Sequence, residues 1–181
     1  MCKRGRVWKI GAVIALLTVA WPCRADAPTR EYQVKAAFVY NFTQFVEWPD
    51  SAFASKDSPF VVATVGADPF NGALEQAMAA KSVADRTVTV QHFASVDSLG
   101  SCQLLFVPAS QDSSAKALCD KLDGKPVLTV GESDGFLPAG GGIRFFFEDN
   151  RIRFEINPDP IAADGLKVSA KLMKLARIYR K

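Results

Sequence analysis

"GGIRFFFEDNRIRFEIN", Gly141 to Asn157, is the stretch on which the fold turns. Two alternating runs flank Asp149-Asn150, a pair that tolerates the left-handed backbone a two-residue hairpin turn requires. Such a turn sets Glu148 opposite Arg151 and leads back to Ile143 opposite Ile156. One face then pairs Phe147 with Ile152, Phe145 with Phe154 and Ile143 with Ile156, and is apolar throughout. The other pairs Glu148 with Arg151, Phe146 with Arg153 and Arg144 with Glu155. A slip of one residue would mix the two faces, so the register is well determined. Five of the six polar-face positions are charged, and Phe146 is the exception. An aromatic ring ringed by arginines and glutamates has the composition of a binding hot spot. Phe146, Arg144 and Arg153 are therefore the candidate partner-binding residues. The competing account is a ring that simply packs across the strand on Arg153.

Upstream, the pattern is an alternation of strands and helices. Strands are expected at "FVVATVG" (60–66), "RTVTVQHFA" (86–94), "QLLFVPAS" (103–110) and "PVLTVG" (126–131), and helices at 71–81 and 112–123. Short connections and continuous apolar strands point to parallel pairing with helices on both faces. At the front, Thr29 is placed to cap a helix from Arg30, with Val34, Phe38, Phe42, Phe45 and Val46 as one apolar stripe. Pro49 disfavours helical geometry at Trp48, so the helix is expected to end there. The aromatics of "YNFTQFVEWP" (40–49) thus read as a core-facing stripe. After Asn157-Pro158, one last helix is expected to carry Val168, Leu172, Leu175, Ala176 and Tyr179 on one side. The fold class is α/β: a three-layer sandwich, its central sheet mostly parallel, with a C-terminal antiparallel hairpin.

Residues 1–25 read as a secretory signal peptide. Lys3, Arg4, Arg6 and Lys9 precede an apolar run, Ile10 to Trp21, too short for the roughly 20 residues a membrane span needs. Small residues at Cys23 and Ala25 place cleavage before Asp26. The leader holds five of the 22 Lys and Arg and none of the 19 Asp and Glu, so the formal charge of +3 becomes −2 in the remainder. The basic balance therefore gives no reason to expect nucleic-acid binding. Residues 26–181 suffice for one exported domain with a real core.

Chemistry is sparse. "GESDG" (131–135) matches G-x-S-x-G after a strand, with Ser133 in the nucleophile position. The only histidine, His92, precedes it and sits in a strand, and "GFLP" does not look like the helix a nucleophile elbow requires. His92 is expected to be a half-buried strand residue. Two cysteines and one histidine at unrelated spacings fit no zinc pattern, so no metal or cofactor is expected. "AGGGI" (139–143) reads as a tight approach turn rather than an anion nest. Cys102 and Cys119, in an oxidising compartment, are placed where a disulfide is geometrically possible. The loop it would close resembles the roughly 15-residue case worth about 3 kcal/mol.

The leader, "YNFTQFVEWP", "VGADPF", "CQLLFVPAS", "VLTVGESDGFLPAGGGIRFFFEDNRIRFEIN" and "GLKVSAKLMKLAR" together resemble the YfiR family over nearly the whole mature chain. The resemblance implies a small periplasmic regulator without enzymatic activity. It would bind and repress the periplasmic sensor domain of an inner-membrane diguanylate cyclase, be sequestered by an outer-membrane lipoprotein, and form homodimers. It implies no cofactor. Close members carry a first-strand cysteine that bridges to the one matching Cys102. Here that position is Ala63, so either Cys119 is the substitute partner or Cys102 is free. The alternative reading is a periplasmic small-ligand sensor with a pocket near Gly66, Asp68, Ser110 and Gly131. A Ser133 hydrolase is third.

Overall fold

The computed structural model describes residues 29–180; the leader and its cleavage site lie outside the described residues. In chain order the elements are α1 (Arg30–Phe45), β1 (Val46–Glu47), β2 (Phe60–Val65), α2 (Ala73–Met78), β3 (Ser82–Val83), β4 (Arg86–Phe93), β5 (Leu104–Val107), α3 (Ala115–Leu122), β6 (Leu128–Gly131), β7 (Ile143–Glu148), β8 (Arg151–Ile156), α4 (Pro158–Ala163), β9 (Lys167–Val168), α5 (Ala170–Leu175) and β10 (Arg177–Ile178). Eight strands form one sheet in the order β10-β8-β7-β6-β5-β2-β4-β3. Its pairings are parallel except for β3 with β4 and β7 with β8. All six cross-strand pairs expected of the hairpin are present, from Glu148 opposite Arg151 to Ile143 opposite Ile156.

Alternate residues of the central strands supply two separate cores. Phe60, Val62, Leu104, Phe106, Leu128 and Val130 face α1, α2, α4 and α5. Val61, Ala63, Val65, Leu105 and Val107 face α3 and the turn carrying Phe136 and Leu137. The second layer stops short: its core includes no residue of β7 or β8. The hairpin's apolar face joins the first core, where Phe42 of α1 stacks on Phe145 at 5.6 Å and meets Phe154 edge-on at 5.1 Å. The polar face has no helix over it in that second core.

The glycine-rich run between β6 and β7 is explained by one ring. A Cβ on Gly131 or on Gly141 would run into the ring of Phe136, which is fully buried. Only glycine lets both backbone segments approach that ring. This is the close-approach turn expected of "AGGGI".

Several boundaries differ from expectation. Helix α1 ends at Phe45, because Val46 and Glu47 leave it to pair antiparallel with Val168 and Lys167 of β9. Its buried face is Ala36, Val39 and Phe42, with Phe38 and Phe45 half-buried and Val34 38% exposed. Trp48 is held by its indole N–H, which donates to the Gln103 carbonyl at 3.0 Å, and by an edge-on contact with Phe60. Helix α2 covers only Ala73–Met78, and a short strand, β3, turns back onto β4 through Ala84 and Asp85, both at positive φ. The segment at 109–114 is a 3-10 helix leading into α3. The single last helix is instead α4, β9, α5 and β10, and Leu175, placed on its buried side, is 66% exposed.

Asp164, just past α4, accepts a hydrogen bond from the Gly124 amide at 2.8 Å, which ties α4 to the end of α3. Burial pushes its carboxyl up to about 6; the Gly124 amide opposes the shift and Asp123 adds to it. The folded state therefore binds this proton more tightly than the unfolded chain, whose aspartates titrate near 4. The contribution to stability is most favourable below pH ~4 and is lost as pH rises through about 6. The full shift corresponds to roughly 3 kcal/mol, and solvent screening of a half-exposed group reduces this to about 1 kcal/mol. Asp164→Asn, which keeps an acceptor for Gly124, should accordingly melt above the parent protein at neutral pH. Melting curves from pH ~8 to ~4 should show that advantage fade as the parent carboxyl takes up its proton.

Candidate functional site

The hairpin projects beyond the sheet. Strand β6 pairs with β7 only at Ile143 and Arg144, and β10 pairs with β8 only at Glu155 and Ile156. The distal half of the hairpin therefore has a helix, α1, behind its apolar face and no strand beside it among the described residues. Phe147 is 57% exposed there, although it lies on the apolar face.

On the polar face the sequence-predicted residues come together, with one partner added. Phe146 is half-buried. The guanidinium of Arg177, from β10, lies 4.3 Å from its ring centroid and that of Arg144 lies 5.8 Å away. Arg153 is opposite Phe146 in the ladder, but its Nε turns to Glu148 at 3.4 Å. Glu155 joins Arg144 at 3.1 Å and Arg177 at 3.2 Å, while Glu148 accepts from Arg177 and Asp134 from Arg144. The ring thus sits in a lattice of three arginines and three carboxylates. The sequence places Arg177 in the expected last helix; its position beside Glu155 follows from β10 being a strand.

A second cluster lies on the other side of the hairpin, where α1 meets the carboxyl end of β6. The Lys35 side chain, 4% exposed, donates to Glu31 and, at 2.5 Å, to Glu132, whose own side chain is 8% exposed. Glu132 also accepts from the Tyr32 hydroxyl at 3.1 Å and the Ala109 amide at 2.9 Å. Burial, with Glu132 beside it, holds the Tyr32 phenol above its ordinary range. The Lys35 ammonium also lies 4.6 Å from the Tyr32 ring centroid. One lysine is shared by two carboxylates, and the Tyr32 and Ala109 donors on Glu132 complete a cluster that pins α1 to the end of β6.

Ser133 and His92 are not brought together among the described residues. Ser133 is followed by turns, its carbonyl accepting from Phe136, where an elbow needs a helix. His92 is exposed, not half-buried, and both ring nitrogens are engaged: Nδ1 with Thr64 Oγ1 at 2.7 Å and Nε2 with Glu75 at 2.6 Å. That trio has the residue types of a relay, but Thr64 is fully buried and out of reach of a substrate. Among the described residues no group of His, Cys, Asp and Glu is placed to hold a metal, and no helix is long and apolar enough to cross a membrane. Of the strand-end positions named for a small ligand, the two glycines are closed over by side chains, Asp68 is engaged in its own turn, and Ser110 is exposed. The Gln111 side chain closes on Gly66, Asp68 accepts from the Phe70 amide, and Phe136 covers Gly131.

The expected Cys102–Cys119 bridge is not formed: both are free, buried thiols. Both belong to the same apolar cluster; Cys102 also lines a surface cleft, and Cys119, on α3, lies against Gly140. Burial pushes the Cys102 thiol up to about 12 and the Cys119 thiol to about 11, away from reactive thiolate character.

Fold and site together define an α/β protein with a mostly parallel sheet and a projecting, arginine-lined hairpin. The chain belongs to the DUF4154 family, described as YfiR/HmsC-like, whose model matches residues 32–177, a family of regulators of diguanylate cyclases. No curated protein matches the sequence. Among solved structures, an ABC domain in complex with L-Trp from Streptococcus pneumonia is similar with a TM-score of 0.49 and 10% identity, over 66% of this chain and 55% of that one. The chain spans about half the length of that structure, and at this level the likeness says nothing about function.

Proposed function

We propose that this protein is an exported, non-enzymatic regulator that binds the periplasmic sensor domain of an inner-membrane diguanylate cyclase and represses it. The observation that carries the reading is the family match over residues 32–177. The hairpin supports it by offering a surface of the right kind: a half-buried ring framed by Arg144, Arg153 and Arg177, on a sheet face that the second helix layer leaves bare. Large aromatics and arginines in that setting carry most of the energy at protein interfaces. The same reading extends to sequestration by an outer-membrane lipoprotein and to a homodimer. Periplasmic residence rests on the leader together with the family. The test is to express the chain beside a candidate cyclase and follow cyclic di-GMP. Repression by the parent protein, lost in a leaderless variant retained in the cytoplasm, is the expected outcome. Unchanged cyclic di-GMP with every cyclase of the host would overturn it.

A further inference from the structure

Among the described residues, the outer edge of β8 is unpaired over its distal half. The two-residue turn makes Glu148 and Arg151 a hydrogen-bonded pair, so Arg153 and Glu155 also bond inward to β7 while Ile152, Phe154 and Ile156 turn their backbone groups outward. Two bonds check this parity: the Tyr179 amide donates outward to the Ile156 carbonyl, and the Asn157 amide donates inward to Gly142. Strand β10 covers only Glu155 and Ile156. The amide and carbonyl of Ile152 therefore face outward with no strand beside them among the described residues.

The surroundings of that edge are two-sided. On the α1 side an open groove of about 580 Å³ is lined by Val34, Phe38, Phe147 and Ile152. Val34 and Phe147 are two of the three exposed large hydrophobic residues among those described; the third, Leu175, stands two residues before β10, where β8 loses its neighbour. Arg153 is exposed on the opposite face, and Arg151, exposed at the start of β8, also lines the groove, as does Glu31 on the α1 wall. Arg151, like Arg30 at the rim of the groove, makes no ion pair among the described residues. A free edge flanked by an apolar groove is the template for strand addition. A second copy of the chain is disfavoured, because antiparallel β8–β8 pairing would set arginines against arginines.

We infer that β8 accepts an extended segment of a partner protein as an added strand, its apolar residues entering the groove and its alternating acidic residues meeting Arg151 and Arg153. This rests on the hairpin being the partner-binding element, and uses its edge, its apolar side and the flanking arginines rather than Phe146. The probe is a labelled synthetic peptide of about ten residues, valine or phenylalanine alternating with glutamate, followed by fluorescence anisotropy. Saturable binding is expected. It should weaken about tenfold or more when alternate peptide amides are N-methylated or when lysine replaces glutamate. Ile152→Pro, which removes an outward N–H and leaves the hairpin ladder whole, should abolish it; Ile152→Ala should retain most of it. Should Ile152→Pro fail to fold, the N-methylated peptide tests the same hydrogen bonds on the unaltered protein. Equal binding of the methylated or lysine peptide, or none by the parent protein, overturns the inference. Phe146→Ala separates the two claims: it should leave peptide binding intact, so a peptide that fails while Phe146→Ala still loses the cyclase domain sinks the strand-addition site alone.

Discussion

Glu132→Ala should lower stability by about 3–5 kcal/mol, the range for breaking a buried ion pair from one side. The substitution leaves the Lys35 ammonium buried with only the partly exposed Glu31 for company, and strips the acceptor from Tyr32 and from the Ala109 amide. For a chain of this length the melting temperature should fall by roughly 10 °C or more. Glu132→Gln keeps acceptors for Tyr32 and Ala109 and should cost distinctly less. If thermal melts show Glu132→Ala within 1 °C or so of the parent protein, the cluster does not pin α1 to the sheet.

The two faces of the hairpin should respond in opposite ways to alanine. Phe145 is buried between Phe42 and Phe38 of α1, and Phe145→Ala should cost about 3–5 kcal/mol through lost contacts and the cavity left behind. Phe146 lies one residue away on the other face, under Arg177 and Arg144, with no helix above it in the second core. Phe146→Ala should cost only about 1 kcal/mol, because a half-exposed site refills with solvent. Chemical denaturation of both variants measures the contrast. Equal losses would make Phe146 a core residue and remove it from the candidate surface.

The hairpin was legible in the sequence because period-two alternation, a two-residue turn and opposite charges all fix one register, and the six observed pairs are those. The parallel sheet was legible from its apolar runs. What failed shares one physical cause, competition from partners distant in the chain. Val46 and Glu47 suit a helix locally but pair with β9, about 120 residues away, and the final helix is divided because β8 needs β10 along its edge. The spacing of four between Glu31 and Lys35 is the one sequence signal of their cluster, and nothing local points to Glu132, about 100 residues on.

The polar face of the hairpin is the proposed meeting point with a protein partner. That contact is tested most directly by titrating the purified periplasmic domain of a cyclase that the protein represses in cells with parent and Phe146→Ala protein, using calorimetry. The account predicts binding by the parent and a loss of about 2 kcal/mol or more for the variant, a thirtyfold change in affinity or larger, with the fold intact. Equal affinity for the two proteins would contradict it.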